Sequence, residues 1–258
     1  MKYSNLSGTV KVLIGCLCLT ILFFFGSLIY YSNINSAEDP RTLPAKTLLL
    51  QYEKQLEESQ TTEALDILNN MLDLYLALPG YEKSYEVGVI YNNIASVYLV
   101  QLETELLTND KVTKEDLVMN LDLALQYSQK SIDNYERWLK EMGKLSESQI
   151  KEKITPFFDP KDPSFKDADF QSVLNKRVED IKLAQLETVR RLSVSLTNMG
   201  VVNRYQGNLE QAKSNYEKAI ELWDRNYTAK DNLNVLLNQP IEKRSMLNRL
   251  FPPEKNKD

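Results

Sequence analysis

The sequence predicts an all-α protein. From residue 45 onward apolar residues recur every three or four positions, and no stretch alternates as a half-buried strand would. Breaker pairs such as Pro79-Gly80 and Gly207-Asn208 stop the periodic segments. With 43% hydrophobic and 26% charged residues over 258 positions, the chain has ordinary globular composition and can bury a core.

The first element in chain order is residues 12–31 (VLIGCLCLTILFFFGSLIYY), a run without charge that at a rise of ~1.5 Å per residue reaches the ~30 Å of a bilayer core. It reads as a transmembrane helix. Residues 1–11 carry Lys2 and Lys11, whereas Glu38 and Asp39 follow the run, so the positive-inside rule puts residues 1–11 in the cytoplasm and the body outside. A cleaved leader is the alternative; the apolar run is longer than a leader's usual ~7–15 residue core, which favours a retained anchor. Residues 32–44, with Pro40 and Pro44, form a polar linker.

The first helical pair is expected at 45–58 and 61–78, the second helix carrying the stripe Ala64, Leu65, Leu68, Met71, Leu72, Tyr75. A third helix follows at about 82–107. A fourth begins after Thr113, an N-cap with Asp116 three residues on, and runs to Gly143. Residues 154–169 hold three prolines and form a loop that Phe157, Phe158 and Phe165 would pack down. A long helix then runs from Phe170 to Tyr205. Residues 147–192 follow no repeat period. The tail, 240–258, places Met246, Leu247, Leu250 and Phe251 before Pro252-Pro253, as a frayed end or a short docking helix.

The chemistry open to this chain is narrow. It has no histidine, and both cysteines, Cys16 and Cys18, lie within the apolar run. That leaves no Ser/His or Cys/His catalyst and no Cys/His zinc site. No phosphate loop or EF-hand is present, so no metal or cofactor is expected, and an enzyme is not. The body carries 29 Lys/Arg against 36 Asp/Glu, an acidic balance that argues against nucleic-acid binding.

Residues 193–226 resemble a single tetratricopeptide repeat of two antiparallel helices. Gly200 stands at the close contact between helices, Gly207 at the turn, Ala212 where the pair touches, Tyr216 as the bulky wedge and Ala219 near the end. Asn203 stands where the family has an aromatic ring, and Asp224 replaces the closing proline. Residues 227–239 would be the helix that covers the last repeat's open face. Weaker likeness extends over 45–239: Ala64, Leu68 and Met71 suit a degenerate repeat. Tyr91, Ile94, Ala95 and Tyr98 suit a first helix, with Ala124, Ser128 and Ser131 on its partner. A helical bundle carrying one such repeat is the competing architecture.

The resemblance implies a partner-binding groove lined by the first helix of each pair: Asn92, Asn93 and Ser96, then Thr197, Asn198, Val201, Arg204 and Tyr205. Asn93 and Asn198 occupy positions where family members use an amide to bond a ligand's backbone, since an amide both donates and accepts. The insertion at 103–119 could fill that groove. The implied function is an adaptor of a bacterial envelope complex, anchored in the inner membrane through residues 12–31 and presenting the groove to a protein on the periplasmic side. The second expectation is a helical ectodomain that encloses a small apolar ligand, with Phe157, Phe158 and Trp138 as its pocket, or serves as a structural subunit of a larger envelope machine such as a secretion system or flagellar collar.

Overall fold

The computed structural model describes residues 37–108 and 113–241, and all regular structure in them is helical. The apolar run 12–31 and the apolar residues of the tail lie outside the described residues. Among the described residues no helix is long and apolar enough to cross a membrane.

Among the described residues eight α-helices are arranged as three hairpins, an insertion and a cap. Helices α1 (Leu43–Glu57) and α2 (Thr61–Ala77) form the first hairpin, α3 (Tyr85–Thr108) and α4 (Lys114–Met142) the second, and α6 (Phe170–Tyr205) and α7 (Leu209–Leu222) the third. The short α5 (Glu147–Ile154) with the loop after it is inserted between α4 and α6, and α8 (Tyr227–Leu236) covers α6 and α7. Successive hairpins meet through α2 on α3 and α4 on α6, with α3 also touching α6.

Local chemistry sets most boundaries. Thr113 and Asp116 form a capping box at the start of α4, each side chain accepting from the other's backbone. Ser146 and Gln149 do the same for α5, the helix that periodicity alone passed over. Gly143 ends α4 without the left-handed conformation usual for a glycine cap, keeping φ at -61°. Gly207 does use it, with φ +79° and open space around its Cα. Residues 155–169 pack as expected through Phe158 and Phe165, whose rings stack 6.0 Å apart. Phe157 departs from that expectation and is 44% exposed, because its side chain lies over Gly80 at the α2–α3 corner.

Two close approaches fix the long hairpins. A Cβ added to Gly200 would come within 2.5 Å of the Tyr216 ring, and one added to Gly88 would come equally close to Tyr135. Both tyrosines are fully buried. The second hairpin therefore repeats the glycine-on-tyrosine contact of the third. It continues beyond that contact with a seam of small residues, Ala124, Ser128 and Ser131, all without exposure. Asn203, lying where an aromatic ring was expected, is buried and donates to the Met199 carbonyl at 2.9 Å.

At the base of the bundle a polar cluster fastens the entering chain. Buried Asp39 accepts from the backbone and guanidinium of Arg41 and from the Tyr81 hydroxyl at 2.9 Å. Arg41 in turn donates to the Phe157 carbonyl and lies 4.4 Å over the Phe158 ring. Arg177 of α6 pairs with Glu86 of α3 and covers the Tyr81 ring at 4.2 Å. Burial opposes the charge of Glu86, but the attraction and hydrogen bond of Arg177 outweigh it and hold the carboxyl below its ordinary range.

Gly88→Ala and Gly200→Ala should each cost about 1–3 kcal/mol in urea unfolding, since the added methyl must displace a buried ring. Glu86→Gln should cost about 3 kcal/mol by leaving the Arg177 charge unpaired. A carboxyl held low in the folded state stabilises above its unfolded pKa, and that contribution is lost as pH falls through the folded value. Between neutral pH and pH ~3 the wild type should therefore lose more stability than Glu86→Gln. Equal acid sensitivity would show that the pair does not act as described.

Candidate partner-binding groove

The groove residues predicted from sequence lie on α3 and α6, which run side by side. Asn92, Ser96 and Asn198 come together. The Asn198 amide donates to Asn92 Oδ1 at 3.1 Å and to Ser96 Oγ at 3.0 Å. Ser195 also donates to Asn92 Oδ1, at 2.9 Å, and Ser131 of α4 lies 2.9 Å from both Ser195 Oγ and the Gly88 carbonyl. A polar seam thus joins α3, α4 and α6 just above the Gly88–Tyr135 contact.

Each amide in the seam is half used. Asn92 spends its carbonyl oxygen and Asn198 its amino group. The Asn92 amino group and the Asn198 oxygen make no hydrogen bond to any described residue, so a donor and an acceptor are left on half-buried side chains. Asn93 is half-buried beside them and bonds to no described residue through its side chain.

Thr197 makes its hydrogen bonds to the covering helix and within α6. It is buried, donates to the Ser193 carbonyl and accepts from Asn226 at 2.8 Å. The Asn226 amino group also reaches Ser193 Oγ at 2.8 Å, while its oxygen accepts from the Ala229 backbone at 3.0 Å and caps α8. Thr197 therefore ties the covering helix to α6, and it also lines the recess beside Asn198. Val201 packs inward against the cluster of Leu99, Ala124 and Val202. Arg204 lies 5.5 Å over the ring of Tyr205, which is 37% exposed at the end of α6.

Two recesses of about 240 Å³ lie along α6. One lies beside Asn198, lined by Val194, Trp223, Arg225 and Tyr227 at the α7–α8 corner. The other lies between α1 and α6 above the start of α3, lined by Lys46, Tyr85, Asp180, Leu183 and Glu187. Leu183 and Leu186 on α6 are 61% and 77% exposed, and Leu50 on α1 is 69% exposed. These leucines were not among the residues selected from sequence. The available signal was phase: Leu183 and Leu186 fall outside the stripe Val173, Leu174, Ile181, Ala184 and Leu192 that faces the core.

Away from this seam, Asn120 of α4 donates to Glu105 of α3 at 3.1 Å. Gln101 pairs with Thr61 at the beginning of α2, and Gln206 at the end of α6 reaches Asp122 of α4. The last turns of α3 and the first of α4 therefore continue past the ends of their neighbours, with Leu106, Val118 and Met119 about half exposed.

The described residues contain no cluster of acidic, histidine or cysteine side chains suited to a metal. No family model matches the chain, and no curated protein sequence matches it.

Asn226→Ala should cost about 2 kcal/mol, through loss of the α8 cap and of the donors that Ser193 and Thr197 accept from. Hydrogen exchange should localise the effect, with protection lost across α8 and kept in α3 and α4. Loss spread evenly over all helices would refute this local role.

Proposed function

We propose that the protein is a scaffold of tetratricopeptide type that recognises another protein through the face shared by α3 and α6. The observation that carries this reading is the pair of half-used amides: Asn92 keeps a free donor and Asn198 a free acceptor, side by side. A peptide backbone presents the complementary carbonyl and N–H in the same alternation. Exposed Leu183 and Leu186 and the recess by Trp223 would supply apolar anchoring along the same helix, which is the usual division between orienting polar groups and energetic apolar ones. The fixed helical hairpins suit binding with little rearrangement.

On this reading residues 12–31 anchor the chain in the inner membrane of a bacterial envelope, with the body on the periplasmic side. The groove would then be held near the bilayer, where it could organise an envelope complex. The acidic body and the absence of thiol and imidazole from it fit recognition better than catalysis.

Photo-reactive residues at Asn93 and Asn198 of the full-length protein in its native membrane should capture one defined protein. Arg204→Glu should lower that capture at least about tenfold, as for an arginine at an interface hot spot. Capture from the outer face of α2, for example at Asp73, with none at Asn93 or Asn198, would refute the groove and make the hairpins a packing element of a larger assembly.

A further inference from the structure

The corner between α7 and α8 carries the recess of about 240 Å³ beside Asn198. A dry cavity of ~150 Å³ holds benzene, so this space has room for one side chain. Val194, Trp223, Arg225 and Tyr227 in its walls are all half-buried, so an occupant meets open side-chain surface. Among the described residues lining the recess, Arg225 is the one charged group, and no carboxylate is present.

Most polar groups at this corner are already used. Buried Thr197 and Asn226 line the recess, but their donors go to Ser193 and, from Asn226, to Thr197. Arg190, 5.1 Å over the Trp223 ring, is paired with Glu187 at 3.1 Å. Asp224 and Glu221, the acids closest to Arg225 in the chain, lie outside the lining; Asp224 has an interaction of its own, and Glu221 is exposed.

Arg225 is the exception. Its guanidinium is half-buried yet makes no hydrogen bond or ion pair with any described residue. A cation drawn partly out of water without a partner is costly, and a carboxylate relieves that cost through two parallel N–H···O bonds. Thr228, exposed in the same lining, bonds to no described residue through its side chain and keeps a hydroxyl to donate. The apolar faces of Val194 and Trp223 beside these donors suit the methylenes of an acidic side chain.

We propose that this recess takes one Asp or Glu side chain of the protein partner, its methylenes against Val194 and Trp223 and its carboxylate on Arg225. The peptide context rests on the groove of the preceding section, since the acid would lie beside the backbone N–H that the Asn198 oxygen accepts; the carboxylate itself rests on Arg225. The body as a whole is acidic, so general attraction does not bring an acidic partner here. A single carboxylate is read at this one place, which makes it a determinant of specificity.

The test uses the full-length protein in nanodiscs, with 5-fluorotryptophan at its two tryptophans. Trp138, 3% exposed, gives the reference fluorine signal, and Trp223→Phe assigns the signal of the recess. The probes are acetyl-Ala-Glu-Ala-amide, the same peptide with Gln in place of Glu, and acetate. The glutamate peptide should shift the Trp223 signal saturably and leave Trp138 in place, with the glutamine peptide at least about tenfold weaker through loss of a charge-assisted bond. Arg225→Gln should abolish the preference for glutamate with unchanged melting, because Arg225 has no partner to lose, and Arg225→Lys should keep part of it. No saturable shift, equal shifts from the two peptides, or a preference that survives Arg225→Gln overturns the recess. Acetate that matches the glutamate peptide at equal concentration overturns a peptide side chain as the occupant. A null fluorine result with photo-capture at Asn198 intact overturns the recess and leaves the groove standing. A glutamate-selective shift with no capture at Asn93 or Asn198 supports the recess and overturns the groove.

Discussion

The contact of a bare glycine backbone with a buried tyrosine ring sets the geometry on which the other features depend. At Gly88 and again at Gly200, absence of a Cβ lets the first helix of a hairpin come down on the ring of its partner. The ring is held in turn by close packing on every side. With that separation fixed, Ala124, Ser128 and Ser131 can form a seam of small side chains in the second hairpin, as Ala212 and Ala219 do in the third. The seams bring α3, α4 and α6 close enough for Ser131, Ser195, Asn92 and Asn198 to share hydrogen bonds. Had either glycine a side chain, the ring would have to move, and the polar seam beside it would lose its spacing.

Much of this architecture is legible in sequence because each hairpin helix carries its own period. The capping box at Thr113, the stop at Pro79-Gly80 and the unbroken run from Phe170 to Tyr205 all act over a few residues, where chemistry and sequence coincide. The partnership of Gly88 with Tyr135 is of another kind. In the third hairpin glycine and tyrosine are separated by one tight turn; in the second, most of α3 and α4 lies between them. No local pattern links two positions so far apart, although each type is present. The helix Glu147–Ile154 was passed over because eight residues are too few to display a period, and Ile150 and Ile154 are its only buried residues.

The polar seam was legible in part for a related reason. Sequence placed Asn92, Ser96 and Asn198 on facing helices, but not the fact that they bond one another. Side-chain pairing across helices depends on rotation by a fraction of a turn, which apolar period specifies only coarsely. Thr197 shows what the period leaves open: one position before Asn198, it bonds to Asn226 and the covering helix. Exposed Leu183 and Leu186 show the converse, since their phase set them apart from the core stripe without saying what else they could serve.

Helix α6 ties the two ends of the domain together. Its first turns carry Lys176, Arg177 and Ile181 into the base, and its last carry Asn198 into the polar seam and Arg204 and Tyr205 to the far end. Its 36 residues contain no proline, and its one glycine, Gly200, is clamped on Tyr216 instead of acting as a hinge. From Arg177 to Asn198 a straight helix rises about 30 Å. Anything held at the amides is therefore held at a set height above the base and in a set direction. Displacement at either end would then come from rotation or translation of α6 as a unit, because the helix has no internal joint at which one end could move alone.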